Sequence, residues 1–167
     1  GLIFEKPSNR TRVSFEVGIT ELGGHAIYLG SYEIDLGKRE SPKDVAKVLS
    51  RYLKGIIART FSHKTVVELA KYSSIPVING LTDYQHPCQA LSDLFTIKEK
   101  KGLEGVTVAY IGDGNNVLNS LLYICHKMGI KINAACPKGY EPSKDVLKDV
   151  ADTAKIFNAP GDAVKGA

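Results

Sequence analysis

Short apolar runs alternate along the chain with longer stretches of helical period. The apolar runs predict β-strands at Leu2–Phe4, Ala26–Leu29, Gly55–Ala58, Pro76–Ile78, Val106–Ile111 and Ile130–Ala135. Stretches with apolar residues three or four positions apart predict helices at Thr11–Leu22, Pro42–Leu53, Lys64–Tyr72, Pro87–Lys101, Val117–Met128 and Lys144–Ala154. Strands that alternate with helices pair in parallel, so the pattern predicts an α/β fold with helices on both faces of its sheets.

The charged end of the fourth predicted helix, followed by Gly102 and Gly105, is the best candidate for a domain boundary. We therefore predict a first α/β domain over residues 1–100 and the start of a second over residues 101–167. The second part contains two predicted strands, too few for a self-sufficient sheet, so we expect it to be only partly present. The sequence starts inside a predicted strand and stops after a short helix, which suggests that both ends are cut.

Composition narrows the range of partners. No apolar run approaches the roughly 18 residues that a membrane span requires, so no membrane partner is expected. The net charge is +4, and the lysines are scattered rather than gathered on one stripe. The aromatic content of 8% is also low for a protein that stacks its side chains on bases. Both observations argue against a nucleic-acid partner, and the mild positive charge suits a small anionic substrate. Three cysteines without a Cys-x-x-Cys pair favour reduced thiols in a cytoplasmic location.

The loop after the first strand has the chemistry of an anion site. Its sequence is Lys6-Pro7-Ser8-Asn9-Arg10-Thr11-Arg12. Ser8 is a natural cap for the next helix, and arginines at the positive end of a helix dipole suggest an anionic partner. Arg59, at the carboxyl end of the third strand, is expected at the same rim and could add a second guanidinium. From the residues alone, a capped helix whose arginines meet solvent or acids remains an equal alternative.

The loop after the fourth strand suggests a pair of polar groups at a helix start. Pro87 fits the first turn, which puts His86 just before the helix and Gln89 about one turn on. Such a pair can hydrogen-bond to a carbonyl oxygen and an amide, although a capping histidine with a surface glutamine is the simpler interpretation. A zinc site is not favoured, because His86-x-Cys88 lacks a second ligand pair at a recognisable spacing.

The loop after the fifth strand opens like a dinucleotide-binding fingerprint and reads Gly112-Asp113-Gly114-Asn115-Asn116-Val117. Val117 stands where the third glycine belongs, and the next strand lacks the acidic residue expected for a ribose, so an NAD-dependent oxidoreductase is a weak alternative. Close strand–helix packing fits better, with Asn115 or Asn116 facing the cleft.

Taken together, these loops resemble the aspartate/ornithine carbamoyltransferase family, and its ornithine-type members in particular, over essentially the whole chain. The matching segments are Phe4–Glu16 (the family's phosphate loop), Asp44–Tyr52, His86–Gln89 and Gly112–Asn116. The resemblance implies two parallel-sheet α/β domains, the second only partly present here. It also implies transfer of the carbamoyl group from carbamoyl phosphate to the δ-amine of L-ornithine, giving L-citrulline and phosphate, with no metal or organic cofactor.

The resemblance also implies roles for individual residues. Carbamoyl phosphate would be bound by Ser8, Asn9, Arg10, Thr11, Arg59, His86 and Gln89. Arg10 and His86 would be the catalytic donors, and Asn116 would contact the α-amino-acid end of ornithine. The family further suggests a cytoplasmic homo-oligomer, a trimer or a multiple of trimers, in arginine metabolism and amino-acid biosynthesis, either anabolic or catabolic.

Two departures from the family pattern keep other functions open. Asn9 replaces a threonine of the phosphate loop. Asp35 stands where relatives usually carry a Gln or His that reaches into a neighbouring subunit's site, and a carboxylate there would repel phosphate. The family segments that grip the amino acid are absent, so the acceptor could instead be putrescine or N-acetylornithine. A non-catalytic homologue that binds phosphorylated metabolites is the second alternative.

Overall fold

The computed structural model describes all of Gly1–Ala167, and strands alternate with helices along the chain except where two helices follow the second strand. The strands are β1 (Leu2–Phe4), β2 (Tyr28–Gly30), β3 (Ile56–Arg59), β4 (Val77–Leu81), β5 (Thr107–Ile111), β6 (Lys131–Ala135) and β7 (Ala154–Phe157). The helices are α1 (Asn9–Glu21), α2 (Ser31–Ile34), α3 (Pro42–Leu49), α4 (His63–Tyr72), α5 (Pro87–Lys101), α6 (Asn116–Lys127), α7 (Lys144–Asp149) and α8 (Pro160–Ala163). The chain divides into two units, Gly1–Asp83 and Tyr84–Ala167.

The first unit is built on a four-stranded parallel sheet with the strand order β2-β1-β3-β4. Phe4, the last residue of β1, lies beside Gly30 of β2 and Arg59 of β3. The loops that follow β1 and β3 therefore leave the sheet side by side, which brings the predicted anion loop next to Arg59.

Both faces of this sheet are covered, which explains why its strands are almost continuously apolar. On one face, Ile3, Ile56 and Ala58 pack against α3 and α4. On the other face, Leu2, Phe4 and Ile57 pack against α1 through two partly buried side chains, Phe15 and Ile19. Burial of each large apolar side chain stabilises the fold by about 1.5–3 kcal/mol, and this packing fixes the strand ends that carry the loops.

The second unit contains a three-stranded parallel sheet with the order β5-β6-β7. Helices α5, α6 and α7 share one core with β6, to which Leu94, Leu122, Ile132 and Val146 contribute. Helix α8 lies on the opposite face, where the side chain of Asn133 donates a hydrogen bond to the backbone carbonyl of α8. None of the helices combines the length and the apolar character that a membrane span requires.

The predicted fold class is confirmed, and every predicted strand and helix is present within a few residues of its predicted bounds, apart from the last helix. The strand β4 runs on to Leu81, so Asn79–Leu81 belong to the strand rather than to the following loop. The short helix α2 was not predicted, since four residues are too few to show a helical period. The domain boundary near residue 100 stays a prediction.

The predicted helix Lys144–Ala154 is wrong at its end, and so is the count of two strands in the second part. The helix stops at Asp149, and Ala154 begins the strand β7. Val146 and Val150 do share a buried helical face. Beyond them, Ala154 and Ile156 pack towards the core while Lys155 is exposed, which is the alternation of a strand.

Candidate functional site

The anion loop, defined here as Ser8–Thr11, forms the N-terminus of α1 as the sequence predicts. Ser8 is the extended N-cap, and its hydroxyl accepts a hydrogen bond from the backbone N–H of Thr11 at 3.3 Å. Asn9 and Arg10 are exposed in the first turn, which contains no acidic residue. The positive end of the helix dipole and its free backbone N–H groups are thus left without an internal anion.

Arg59 lies beside this loop and completes a cluster of positive charge. Its Nη1 donates a hydrogen bond to the hydroxyl of Thr11 at 3.3 Å. Its Nε is buried without a hydrogen-bond partner, and neither Arg59 nor Arg10 forms a salt bridge with a carboxylate. Burial, and secondly the positive charge of Arg10, lower the pKa of the Arg59 guanidinium from its ordinary value. Two guanidinium groups that repel each other in this way are typical of a site for an anion.

Arg12 is not part of this cluster, although the sequence made it a candidate. Its Nε donates to the Glu16 carboxylate at 2.9 Å, one helical turn on, and its guanidinium lies 3.9 Å from the centre of the Tyr28 ring. The charge of Arg12 is therefore already compensated within the first unit. Arg12 therefore meets an acid, which is one of the outcomes that the sequence left open, whereas Arg10 is exposed without an acidic partner and its role in anion binding stays a prediction.

In the second unit, His86 and Gln89 lie at the start of α5. Pro87 occupies the first turn, and the backbone carbonyl of His86 accepts hydrogen bonds from the N–H groups of Gln89 and Ala90 at 3.2 and 3.3 Å. The exposed Gln89 side chain donates from its Nε2 to the Asp93 carboxylate at 2.8 Å. This contact engages the NH2 group of the glutamine amide and leaves its carbonyl oxygen as a further hydrogen-bond acceptor.

Two buried polar residues of α6, which the sequence analysis missed, hold the segment before α5. The Ser120 hydroxyl accepts a hydrogen bond from the backbone N–H of His86 at 2.8 Å. The Asn119 side chain donates to the backbone carbonyl of Tyr84 at 3.0 Å. Both side chains are buried in a helix that is otherwise mostly apolar on that face. Adjacent polar residues at buried helical positions were the available signal, because such groups need a specific partner.

The Gly112–Asn116 loop connects β5 to α6 and is closely covered. Asn115 is the N-cap, and its side-chain oxygen accepts from the N–H groups of Val117 and Leu118 at 3.0 and 3.2 Å. A Cβ on Gly114 would lie 2.3 Å from the backbone nitrogen of Pro142, so this glycine is required by the approach of another loop. Gly114 thus packs closely, although against the loop of Glu141 and Pro142 rather than at the predicted strand–helix contact, and the Asn115 side chain caps α6. Asn116 is the first residue of α6, and Ser120, about one turn further along this helix, accepts the hydrogen bond from the backbone of His86.

Asp35 ends α2 in the left-handed conformation, with a φ of 44° that is unusual for a residue with a side chain. Its carboxylate lies 3.9 Å from the ammonium group of Lys38. It lines a cavity of about 370 Å³ with Glu5 and Phe61, and none of the anion-loop residues lines that cavity. These contacts are all within one chain, so the expected repulsion between Asp35 and a phosphate in a neighbouring subunit stays a prediction.

The structure brings Ser8, Arg10, Thr11 and Arg59 together in the first unit, where they can bind a dianion through charge and hydrogen bonds. In the second unit, His86, Gln89 and Asn116 lie at the starts of two adjacent helices. No group of three or more His, Cys, Asp or Glu side chains is arranged to hold a metal ion. The ligand each residue binds stays a prediction.

Two family models match the chain. Residues 1–99 match "Aspartate/ornithine carbamoyltransferase, carbamoyl-P binding domain", and residues 104–167 match "Aspartate/ornithine carbamoyltransferase, Asp/Orn binding domain". Among curated proteins, the chain is 52% identical over 169 residues to the ornithine carbamoyltransferase of Pyrococcus horikoshii (98% of this chain, 53% of that protein). It is 59% identical over 157 residues to that of Bacillus subtilis (93% and 48%).

A solved structure agrees with these matches. The ornithine carbamoyltransferase of Pyrococcus furiosus superposes with a TM-score of 0.92 at 49% identity, over 98% of this chain and 55% of that one. The chain spans about half the length of the curated relatives it matches.

Proposed function

We propose, from the premise that the chain belongs to the aspartate/ornithine carbamoyltransferase family, that the protein transfers the carbamoyl group of carbamoyl phosphate to the δ-amine of L-ornithine. The products are L-citrulline and phosphate. The names of relatives at 52% and 59% identity favour this acceptor over putrescine or N-acetylornithine. They also favour an enzyme over a non-catalytic homologue or an NAD-dependent oxidoreductase.

The observation that carries the proposal is the pair of guanidinium groups without a carboxylate partner, Arg10 and Arg59, beside the capped start of α1. Placing like charges together is unfavourable unless a ligand of opposite charge occupies the site. A phosphate dianion supplies that charge and accepts hydrogen bonds from the Ser8 hydroxyl and from the first backbone N–H groups of the helix. Asn9 contributes its backbone N–H, so loss of the family's hydroxyl at this position is tolerated.

In the proposed reaction, the neutral δ-amine of ornithine attacks the carbonyl carbon of carbamoyl phosphate. A C–N bond forms, the C–O bond to phosphate breaks, and the proton that the amine loses passes to the departing phosphate. Negative charge grows on the carbonyl oxygen and then on the departing phosphate. His86 and Arg10 donate to these oxygens, and one such donor typically stabilises the transition state by about 3–4 kcal/mol. Gln89 and Thr11 orient the carbamoyl group, and Asn116 contacts the α-amino-acid end of ornithine.

The deciding experiment measures citrulline formation by the intact protein from carbamoyl phosphate and ornithine. Parallel assays replace ornithine with putrescine and with N-acetylornithine. We expect product from ornithine alone. Product from another amine would reassign the acceptor, and no product from any of the three amines would favour the non-catalytic alternative.

Binding is tested separately by calorimetric titration with carbamoyl phosphate, with NAD as the control ligand. We expect saturable heat for carbamoyl phosphate, its loss in the Arg59→Ala variant, and no heat with NAD. Binding of NAD, or unchanged carbamoyl phosphate affinity in the variant, would contradict the assignment of the site.

Three finer features belong to the same proposal. We place the protein in the cytoplasm, supported by the three free cysteines, of which Cys125 and Cys136 are buried. We assign it to arginine metabolism, since citrulline is its product. We expect a homotrimer or a multiple of trimers, supported by α1, which has no fully buried residue and exposes Val13 and Val17 one turn apart. Light scattering coupled to size exclusion measures the oligomeric state.

A further inference from the structure

A closed ring of contacts joins the loops that follow β1, β3 and β4 in the first unit. The ammonium group of Lys6 forms an ion pair with the carboxylate of Asp83. The backbone N–H of Asp83 donates to the carbonyl of Phe61 at 2.9 Å. The N–H of Phe61 in turn donates to the carboxylate of Glu5 at 2.9 Å, and Glu5 precedes Lys6 in the chain, which closes the ring.

The Lys6 side chain also contacts the aromatic ring of Phe61. Its ammonium group is 4.6 Å from the centre of the Phe61 ring, a favourable cation–π distance. Since β3 lies between β1 and β4 in the sheet, Lys6 reaches over the β3 loop to meet Asp83 beyond it. One side chain thereby contacts both neighbouring loops.

The ring lies next to the residues that form the anion site. Lys6 is two residues before Ser8, and Phe61 is two residues after Arg59. The backbone N–H of Glu5 also donates to the carbonyl of Arg59 at 2.9 Å. A shift of the β1 loop relative to the β3 loop would therefore move the anion loop away from the Arg59 guanidinium.

Lys6 differs from the arginines of the anion site because its charge is paired with a carboxylate. Arg10 and Arg59 form no salt bridge with a carboxylate, whereas Lys6 is neutralised by Asp83. A neutralised lysine adds little net attraction for an anion, so its contribution is geometric.

We propose that Lys6 and Asp83 are positioning residues for the carboxyl edge of the first sheet. Through the ring with Glu5 and Phe61, they hold the anion loop against Arg59 in the geometry that binds a phosphate group. The proposal rests on the proposed function for the identity of the ligand, carbamoyl phosphate.

The test is a double-mutant cycle on the intact protein with the variants Lys6→Met, Asp83→Asn and the pair combined. Each single substitution opens the ring, and an exposed ion pair with a cation–π contact is worth about a 3–10-fold change. We expect each single variant to raise the Kd and KM for carbamoyl phosphate by that factor, with kcat changed less than about 2-fold. The double variant should bind no more weakly than the weaker single variant, because the ring can be opened only once.

The sign of the Asp83→Asn effect separates positioning from direct contact. If Lys6 instead touched the phosphate, removal of the competing Asp83 carboxylate would tighten carbamoyl phosphate binding. Loss of a negative charge near an anion site would by itself also tighten binding. Tighter or unchanged binding in Asp83→Asn, or additive effects in the double variant, would overturn the proposal.

Two controls belong to the cycle. Lys43→Met removes a lysine that also lies over an aromatic ring in the same unit, 5.4 Å from the centre of Tyr72, and should leave the Kd unchanged. Lys6→Arg keeps the ion pair and should stay close to the wild type. If Lys43→Met raised the Kd as much as Lys6→Met, the loss of one positive charge would explain both effects, which would contradict the positioning role.

Failure of the positioning role and failure of the proposed function give different results. Citrulline formation by the wild type tests the function, whereas the cycle needs only calorimetric binding of carbamoyl phosphate. Binding with coupled ring variants but without citrulline would retain the ring and reject the reaction. Citrulline formation with uncoupled variants would retain the proposed reaction and reject the positioning role. A wild type that does not bind carbamoyl phosphate would reject the reaction and the positioning role together.

Discussion

Two strand-to-helix loops have the same local structure but differ in charge and in how closely other parts of the chain cover them. They are Ser8–Thr11 in the first unit and Gly112–Asn116 in the second. Each places a side-chain cap on its helix, Ser8 in one and Asn115 in the other. The first loop carries arginine charge without a carboxylate partner. The second carries the acidic Asp113 and is covered by the backbone of the loop that contains Pro142.

This difference shows that a capped helix start is not by itself an anion site. The dipole and the free N–H groups are common to both loops, and the added guanidinium groups and open space distinguish the first. It also explains why the Gly112-x-Gly114 pattern is a weak sign of a dinucleotide: in this protein the second glycine admits a loop of the same chain.

The largest expected effect comes from removing charge from the first loop. Arg10→Ala should lower the affinity for carbamoyl phosphate, and kcat/KM, by about 100-fold or more, because a preorganised charged donor is lost. The matched control is Arg12→Ala, whose guanidinium is already paired with Glu16 and stacked on Tyr28 and should change affinity by less than about 3-fold. Equal effects of the two variants in calorimetry and steady-state kinetics would remove the distinction between the two arginines.

The next effect concerns packing in the second loop. Gly114→Ala should lower the free energy of unfolding by about 1–3 kcal/mol, because its Cβ would meet backbone atoms of Glu141 and Pro142. Gly161→Ala is the control, since its Cβ would meet nothing within 4 Å. Thermal denaturation of both variants measures the difference. A Gly114→Ala protein as stable as the control would mean that the covering loop moves aside freely.

The two caps provide a sharper test of similar structure with different function. Ser8→Ala and Asn115→Ala should each cost about 1 kcal/mol of stability, because each removes a hydrogen bond to a helix N-terminus. Only Ser8→Ala should also weaken carbamoyl phosphate binding. Denaturant unfolding gives the first quantity and calorimetry the second. A loss of phosphate affinity in Asn115→Ala as large as in Ser8→Ala would break the comparison.

The smallest effect is a pH dependence at the edge of the first sheet. Burial lowers the pKa of His63 from its ordinary value of 6.5, and its Nδ1 lies 3.0 Å from the Thr82 hydroxyl. The unfolded chain then binds a proton at higher pH than the folded chain. Stability should therefore fall as the pH decreases from about 6.5 to the lowered pKa of the folded state, by less than about 1 kcal/mol after solvent screening.

Comparison with His63→Gln, which cannot titrate, isolates this contribution. The difference in unfolding free energy between wild type and variant should be constant above neutral pH and should change in favour of the variant in mild acid. A difference that stays constant down to pH 5 would contradict the prediction.

Local signals in the sequence predict much of the fold and part of the site. The strand β1 and the helix α5 have their predicted bounds, since apolar runs and Pro87 act within a few residues. The cap at Ser8 follows from the same local chemistry. The strand β7 was hidden because the helical pattern of Val146 and Val150 runs directly into it, and a strand of four residues shows too little alternation to override that pattern.

Long-range partners explain what the sequence could not predict. The Glu16 carboxylate that compensates Arg12 lies one helical turn on, a spacing that the sequence does show, whereas the contact of the Arg12 guanidinium with the ring of Tyr28 in β2 has no local signal. The sequence likewise gives no sign of the hydrogen bond between Ser120 and the backbone of His86, which are 34 residues apart. It gives none of the ion pair between Lys6 and Asp83, which are 77 residues apart. A periodicity of two to four residues contains no information about such pairs.

The packing of α5 has a practical consequence for dissecting the gene. Its two buried residues, Ala90 and Leu94, belong to the core of the second unit together with Leu118 and Leu122. A fragment that ends at residue 101 would retain this helix without that core, leaving an apolar surface prone to aggregation. A fragment that ends at Asp83 would avoid the problem, although it would also lack His86 and Gln89. Soluble expression of the first unit and retention of those two side chains are therefore competing aims.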